Sequence, residues 1–306
     1  MIARIRHSWL LVAALALGVG CASTSGAHKT SEAGYAARNR LAKELVARGD
    51  WARAFAMLDE LHRERPEDTE VLTLRGIVFR ERGLFSDAEA DLKAALKNAP
   101  DSADAHAALG ILYDVQVRPE AEAEHREAVR LAPKNPAYLN NLGFSLYLRQ
   151  HFKEAIKIYE TAARLAPMSP RVRTNLGFAY AALGDLRSAA REFQMGGTEA
   201  EAKNNLGFAY ERRGDMANAY DLYVEALRLD PKVARARSNL VHAALVLGRP
   251  LPPEAAAPPP PATEPAAPPE PAAPPAPASP PTTSTSTVTT NPTAKTGEAP
   301  KQEAHP

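Results

Sequence analysis

The chain has 306 residues, 45% hydrophobic and 24% charged, with 37 basic against 36 acidic side chains. That balance offers no bulk attraction to nucleic acid, and a single cysteine, Cys21, excludes an intrachain disulfide framework. Most of the 27 prolines follow Arg249, which excludes one uniformly packed domain. A stretch of Pro, Ala, Ser and Thr without aromatic residues cannot bury enough apolar surface to offset its ordering entropy. Residues 249–306 are therefore expected to form a disordered tail.

At the N-terminus, Arg4, Arg6 and His7 precede an apolar run from Trp9 to Val19, followed by Gly20, Cys21 and Ala22. This is the layout of a signal peptide over 1–20, and the run is too short to span a bilayer securely. Removing Arg4 and Arg6 with it leaves 35 basic against 36 acidic residues. Val19, Gly20 and Cys21 resemble the lipobox of bacterial lipoproteins, with Leu17 one place early and Gly18 in its stead. The resemblance implies acylation of Cys21, followed by a linker over 21–34; ordinary cleavage after Ala22 is the alternative.

Between these ends the chain repeats itself. Gly76, Gly110, Gly143, Gly177 and Gly207 each open a similar segment, followed by Ala, an apolar or aromatic residue, Ala and usually Pro at near-constant offsets. In one copy Leu142 and Leu146 share a helical face, Ala155, Tyr159 and Ala162 share another, and Pro167 stops the second helix. The pattern predicts helical hairpins about every 34 residues over 35–68, 69–102, 103–135, 136–169, 170–199 and 200–233, with a solvating helix over 234–248. Gly143 and Ala155 are expected where the two helices of a hairpin cross. The fifth copy is short, 30 residues from Gly177 to Gly207; Gly196 and Gly197 are expected to end its second helix early and to permit positive φ.

These positions resemble the tetratricopeptide repeat family over most of the chain between leader and tail. The resemblance implies an all-α, right-handed superhelical solenoid of about six helix-turn-helix repeats plus a capping helix. No HExxH, GxSxG, phosphate loop or paired-cysteine pattern is present, and the eight histidines lack metal-ligand spacing. No catalytic residue, metal or cofactor is therefore assigned. His125 stands where other copies carry Phe193 or Tyr223, the place of a packed ring.

Three near-copies, NNLGFSLY, TNLGFAY and NNLGFAY, put an Asn two residues before the Gly and a Phe one after it. Residues three apart share a helix face that is distinct from the packed Leu-Gly face. In the family the first helices line a concave groove, and Asn at this place can hold the backbone of an extended peptide. The resemblance thus implies a peptide-binding ladder of Asn141, Asn175, Asn205 and Asn239, with Phe144, Phe178 and Phe208, and His242 in the last copy. Arg40, Leu74 and Ala108 replace Asn in earlier copies, placing such a site in the C-terminal half. Arg171, Arg173, Lys203, Arg235 and Arg237 on the same helices would favour acidic neighbours in the ligand. The competing reading is structural, with Asn bridging neighbouring helices and Phe packing between repeats.

The combined leader, repeats and NNLGFSLYLR wording resemble the tetratricopeptide lipoproteins of the Flp (Tad) pilus machinery and, less closely, the pilotin-type lipoproteins of type IV pilus secretins. The resemblance implies an outer-membrane lipoprotein facing the periplasm, held by its N-terminal lipid. Its partner would be an extended segment of a pilus, secretion or envelope component, without nucleic acid. A general envelope-biogenesis scaffold is the alternative.

Overall fold

The structure is a computed structural model that describes residues 31–256. The signal over 1–20, Cys21 and the tail beyond Ala256 lie outside the described residues. Thirteen helices and one four-residue turn follow each other, and the described residues contain no strand.

The hairpins pair α1 (Glu32–Ala47) with α2 (Trp51–Glu64), α3 (Thr69–Glu81) with α4 (Phe85–Asn98), and α5 (Ala103–Val115) with α6 (Ala121–Leu131). Then come α7 (Pro136–Leu148) with α8 (Phe152–Leu165), α9 (Pro170–Ala182) with α10 (Leu186–Gly196), and α11 (Glu199–Arg212) with α12 (Met216–Leu229). Helix α13 (Ala234–Leu247) closes the stack, and α14 (Pro253–Ala256) follows.

The helix boundaries are set by local chemistry. Ser31, Asp68, Ser102, Asn135, Ser169 and Thr198 cap first helices with their side chains, satisfying N–H groups that the helix leaves unpaired. In three hairpins a Gly-Asp pair joins the helices. Gly49, Gly184 and Gly214 take positive φ, and Asp50, Asp185 and Asp215 cap the second helix. Val117 and Gln150 occupy the corresponding left-handed turn positions, at φ 56 and 62.

Each helix packs on its chain neighbours, and each first helix also touches the next first helix, from α1 on α3 to α11 on α13. No second helix among α2, α4, α6, α8, α10 and α12 touches another. First helices that approach one another while second helices splay put the first helices on the inner, concave surface. That surface carries the residues predicted to form the ladder.

The crossing Gly meets a ring more closely than the expected Ala. A Cβ on Gly143 would lie 2.7 Å from Tyr159, one on Gly177 2.5 Å from Phe193, and one on Gly207 2.7 Å from Tyr223. The Ala carbonyl is the next contact, at 3.2 Å for Ala189 under Gly177. His125 takes the ring's place against Gly110 at 2.6 Å and is 1% exposed. Its Nε2 meets Asp114 Oδ2 at 2.9 Å, while Asp114 Oδ1 accepts from Ser145 Oγ at 2.8 Å and Arg149 Nη1 at 3.2 Å. The expected packed histidine is also one end of a polar bridge into the next repeat.

The structure departs from expectation in three places. Gly196 and Gly197 do not use positive φ; Gly197 is extended, at φ −173. Gly196 is required for space, because a Cβ there would lie 2.9 Å from Arg173 Cβ. Helix α13 buries Ala236, Leu240, Ala243 and Ala244 as a capping helix should, but its outer face is apolar, with Leu245 80% exposed beside Val241 and Val246. Finally, the tail expected to be disordered from 249 begins with an ordered return. Arg249 lies over the Tyr220 ring, Tyr220 donates to the Pro250 carbonyl at 2.8 Å, and Ala255 is buried against α12 and α13. Helix α14 takes the place of a missing second helix, where an uncovered apolar face offsets the cost of ordering Pro-rich chain.

Candidate protein-binding groove

On the concave surface, the residues two before and one after each crossing Gly recur once per first helix. In α7, α9, α11 and α13 these are the predicted residues, and the structure divides their roles. Asn175 Nδ2 donates to Asn140 Oδ1 at 2.9 Å, and Asn239 Nδ2 donates to Asn204 Oδ1 at 3.0 Å. Asn205 accepts from Asn204 Nδ2 at 3.3 Å. Asn141 is 4% exposed, and its buried Nδ2 has no partner. Asn140 and Asn204, which the periodicity argument left out, are the buried acceptors of the inter-repeat contacts.

The Phe residues form a graded stripe. Phe144 is half-buried against the α7–α8–α9 core. Phe178 sits edge-on to the packed Phe193 at 4.9 Å and to Phe208 at 5.9 Å and 87°. Phe208 is 38% exposed. Edge-to-face contact orients aromatic rings beyond what burial alone achieves. His242 ends the row on Glu211, 3.0 Å from its Oε1, while Glu211 Oε2 accepts from the Tyr223 hydroxyl at 2.6 Å. Tyr147, one turn after Phe144, has its hydroxyl pKa raised by burial.

The cations expected to attract acidic ligand groups are mostly committed elsewhere. Arg173 pairs with Glu192 at 2.8 Å, Lys203 with Glu225 at 2.6 Å, and Arg237 donates to the Pro231 carbonyl at 2.9 Å. All three stand four residues before the crossing position, a turn that faces the second helix. Arg171 and Arg235 stand six before it, on the groove side of the register.

A second feature was not foreseen. In the N-terminal half, a cavity of about 220 Å³ opens between α1, α3 and α5, lined by Leu74, Ile77, Ala108 and Ile111 with Lys43, Glu70 and Asp104. Leu74 and Ala108 are the residues that replace Asn there, so the same register builds an apolar slot where the later repeats carry amides. Lys43 and Asn39 both contact Glu70, and the Tyr138 hydroxyl donates to Asp104 at 2.5 Å. The legible signal was branched aliphatic residues at 77 and 111, beside the small Ala108. Among the described residues no group of three His, Cys, Asp or Glu side chains is placed to hold a metal ion.

Models of the tetratricopeptide repeat match residues 39–89, 73–136, 136–169 and 200–233. The chain belongs to the tetratricopeptide repeat family. The short fifth copy, 170–199, falls between the matched segments of this tetratricopeptide protein. The type IV pilus assembly protein PilF of Pseudomonas aeruginosa is 35% identical over 92 residues, 30% of this chain and 36% of that relative, so the match spans about a third of the relative's length. The solved structure of P. aeruginosa PilF superposes with a TM-score of 0.54 at 19% identity, covering 68% of this chain and 97% of that one. That of PilW, a widely conserved type IV pilus biogenesis factor, superposes at 0.57 and 19%, covering 67% and 98%. The APC/C complex Cut9–Hcn1 does so at 0.56 and 17%, covering 68% and 42%. At such identities the structural likeness shows the shared solenoid and nothing finer.

Proposed function

We propose that this tetratricopeptide protein is a non-catalytic scaffold of the cell envelope that assists pilus assembly by holding an extended segment of a partner along its concave groove. The observation that carries the reading is the stripe from Phe178 to the exposed Phe208, beside Asn205. An aromatic surface flanked by the partly exposed Asn205 suits a backbone that offers carbonyls and apolar side chains. Asn175 and Asn239 contribute less, because each amide already serves a neighbouring repeat. Completing the burial of half-buried rings and adding a few net hydrogen bonds, each about 0.5 to 1.5 kcal/mol, against association costs on the order of 4 to 15 kcal/mol, leads to micromolar affinity.

PilF and PilW, two of the proteins it resembles, belong to type IV pili, which makes that apparatus the first to test and the Flp machinery the second. Acylation of Cys21, and with it the outer membrane, rests on the resemblance of the leader. Labelled fatty acid entering the wild type but not Cys21→Ser would support it, and equal labelling would remove it. For the groove, segments of the organism's own pilin, secretin and assembly components are titrated calorimetrically against wild type and Phe208→Ala. Micromolar binding of one segment, weakened at least tenfold by the substitution, is the expected result. Loss of envelope integrity without loss of pili on gene deletion would favour the general scaffold.

A further inference from the structure

The concave surface of the N-terminal half differs in kind from that of the C-terminal half. Two residues before the crossing Gly, α3 and α5 carry Leu74 and Ala108 where later first helices carry Asn, and one residue after it they carry Ile77 and Ile111 where later ones carry Phe. These four side chains are at most 8% exposed, yet they border about 220 Å³ of empty space. The space exists because Ala108 ends at its Cβ where its counterpart in α3 is a Leu. Such a floor offers a polar group no partner. An apolar cavity of about 150 Å³ takes up benzene, so this slot has room for one aromatic side chain.

The rim decides what accompanies the ring. Lys43 and Glu70 form an ion pair, to which Asn39 adds a hydrogen bond, so their charges cancel. The Thr73 hydroxyl donates to the Thr69 carbonyl at 2.7 Å, and Ser102 Oγ accepts from the Ala105 N–H at 3.3 Å. Asp104 is placed differently. It is exposed in the first turn of α5, accepts from the Tyr138 hydroxyl at 2.5 Å, and pairs with no cation among the described residues. A carboxylate bonded once has acceptor sites to spare. One uncompensated negative charge therefore stands at the mouth of a slot sized for a ring. We propose that this slot is an anchor site for a partner protein segment that carries an aromatic side chain close to a basic one, with the ring between Ile77 and Ile111 and the cation at Asp104. In an extended chain residues two apart share a face, so the basic residue stands two positions from the ring. The site does not depend on the stripe from Phe178 to Phe208, and the test keeps the two apart.

The protein supplies its own reporters, since Ile77 and Ile111 line the slot while Ile156 and Ile158 lie in α8. The full chain, labelled at its isoleucine methyl groups, is titrated by NMR with acetyl-Lys-Ala-Phe-Ala-Lys-amide, which offers a Lys in either chain direction. The same peptide with both Lys changed to Glu, and one with Phe changed to Ala, serve as controls. The first peptide should shift the Ile77 and Ile111 methyls and leave those of Ile156 and Ile158 in place. It should bind about threefold or more tighter than the Glu peptide, as an exposed ion pair allows, and at least tenfold tighter than the Ala peptide. Asp104→Asn, which keeps an acceptor for Tyr138, should bring the Lys and Glu peptides within twofold of each other, and Ala108→Leu should abolish binding by filling the slot. Phe208→Ala should change nothing. Unmoved Ile77 and Ile111, equal binding of the three peptides, or a charge preference that survives Asp104→Asn overturns the proposal. Shifts of Ile77 and Ile111 that grow with protein concentration alone overturn it in favour of a second copy as occupant. Binding that Phe208→Ala abolishes overturns it and leaves the C-terminal groove standing.

Discussion

The side-chain amide of Asn175 donates to the Asn140 oxygen across a repeat boundary at 2.9 Å, and Asn239 makes the same contact on Asn204 at 3.0 Å. In each Asn-Asn pair, the first Asn thus receives the next repeat. Removing a buried acceptor strands a donor, which costs about 1 to 3 kcal/mol. Asn140→Ala and Asn204→Ala should each lose that much in urea unfolding. The cycle with Asn175→Ala should show a coupling of about 0.5 to 1.5 kcal/mol for the first pair; additive losses would mean that the contact contributes nothing.

Asn141 differs from these because its buried Nδ2 bonds to nothing in the chain. An unsatisfied buried amide is a standing cost, and Leu74 shows that the register accepts Leu at the corresponding place in α3. Asn141→Leu should raise stability by roughly 1 kcal/mol. A fall in the urea midpoint would show that Asn141 supports the fold.

The hairpins, their order and the crossing glycines were legible in the sequence because helix periodicity and close approach are local rules that every copy repeats. What Asn140 and Asn204 do was not. Periodicity assigns a face, but a partner 35 residues away depends on how one repeat staggers against the next. The slot of Leu74, Ile77, Ala108 and Ile111 escaped because it is shared by helices whose residues there differ. Composition also hid α14, since Pro-rich sequence orders only where an apolar face such as that of α12 and α13 is left to cover.

Val117 holds φ at 56 while 89% exposed. A β-branched residue in the left-handed region is strained by roughly 1 to 2 kcal/mol, and four other hairpins place Gly at this turn, as Gly49, Gly83, Gly184 and Gly214. Val117→Gly should raise the unfolding free energy by about 1 kcal/mol, net of the greater freedom of Gly in the unfolded chain. A decrease would mean that the third turn departs from this conformation in solution.

Glu89 joins the second repeat to the third. Its carboxylate accepts from the Tyr113 hydroxyl at 2.9 Å and from Arg118 at 3.0 Å, with Lys93 at 2.7 Å. The Lys93 contact foremost, with the Tyr113 and Arg118 bonds, lowers its pKa from 4.5 to about 2 against the opposing effect of burial. A depressed folded pKa stabilises the fold above the unfolded value and loses that effect as pH falls through the folded one. The stability difference between wild type and Glu89→Gln should therefore be full above pH 5 and shrink between about 4.5 and 2. A difference independent of pH would assign the effect to packing.

Gly196 and Gly197 end the short second helix of the fifth repeat for different reasons. A Cβ on Gly196 would stand 2.9 Å from Arg173 Cβ and 3.2 Å from the Pro170 carbonyl, both anchored to the α9 backbone. A Cβ on Gly197 would meet Glu201 Oε2 at 2.7 Å, the end of a side chain that can move, and its extended backbone suits any residue. That carboxylate also accepts from the Thr198 N–H at 2.8 Å, so moving it weakens one capping contact. Gly196→Ala should cost about 1 to 3 kcal/mol through overpacking, and Gly197→Ala about 1 kcal/mol or less. Amide exchange should quicken in α9 to α11 for the first variant and remain near wild type for the second. The reverse ranking would mean that the glycine pair is needed for its backbone freedom, as the sequence had suggested, and not for the close approach of α10 to α9.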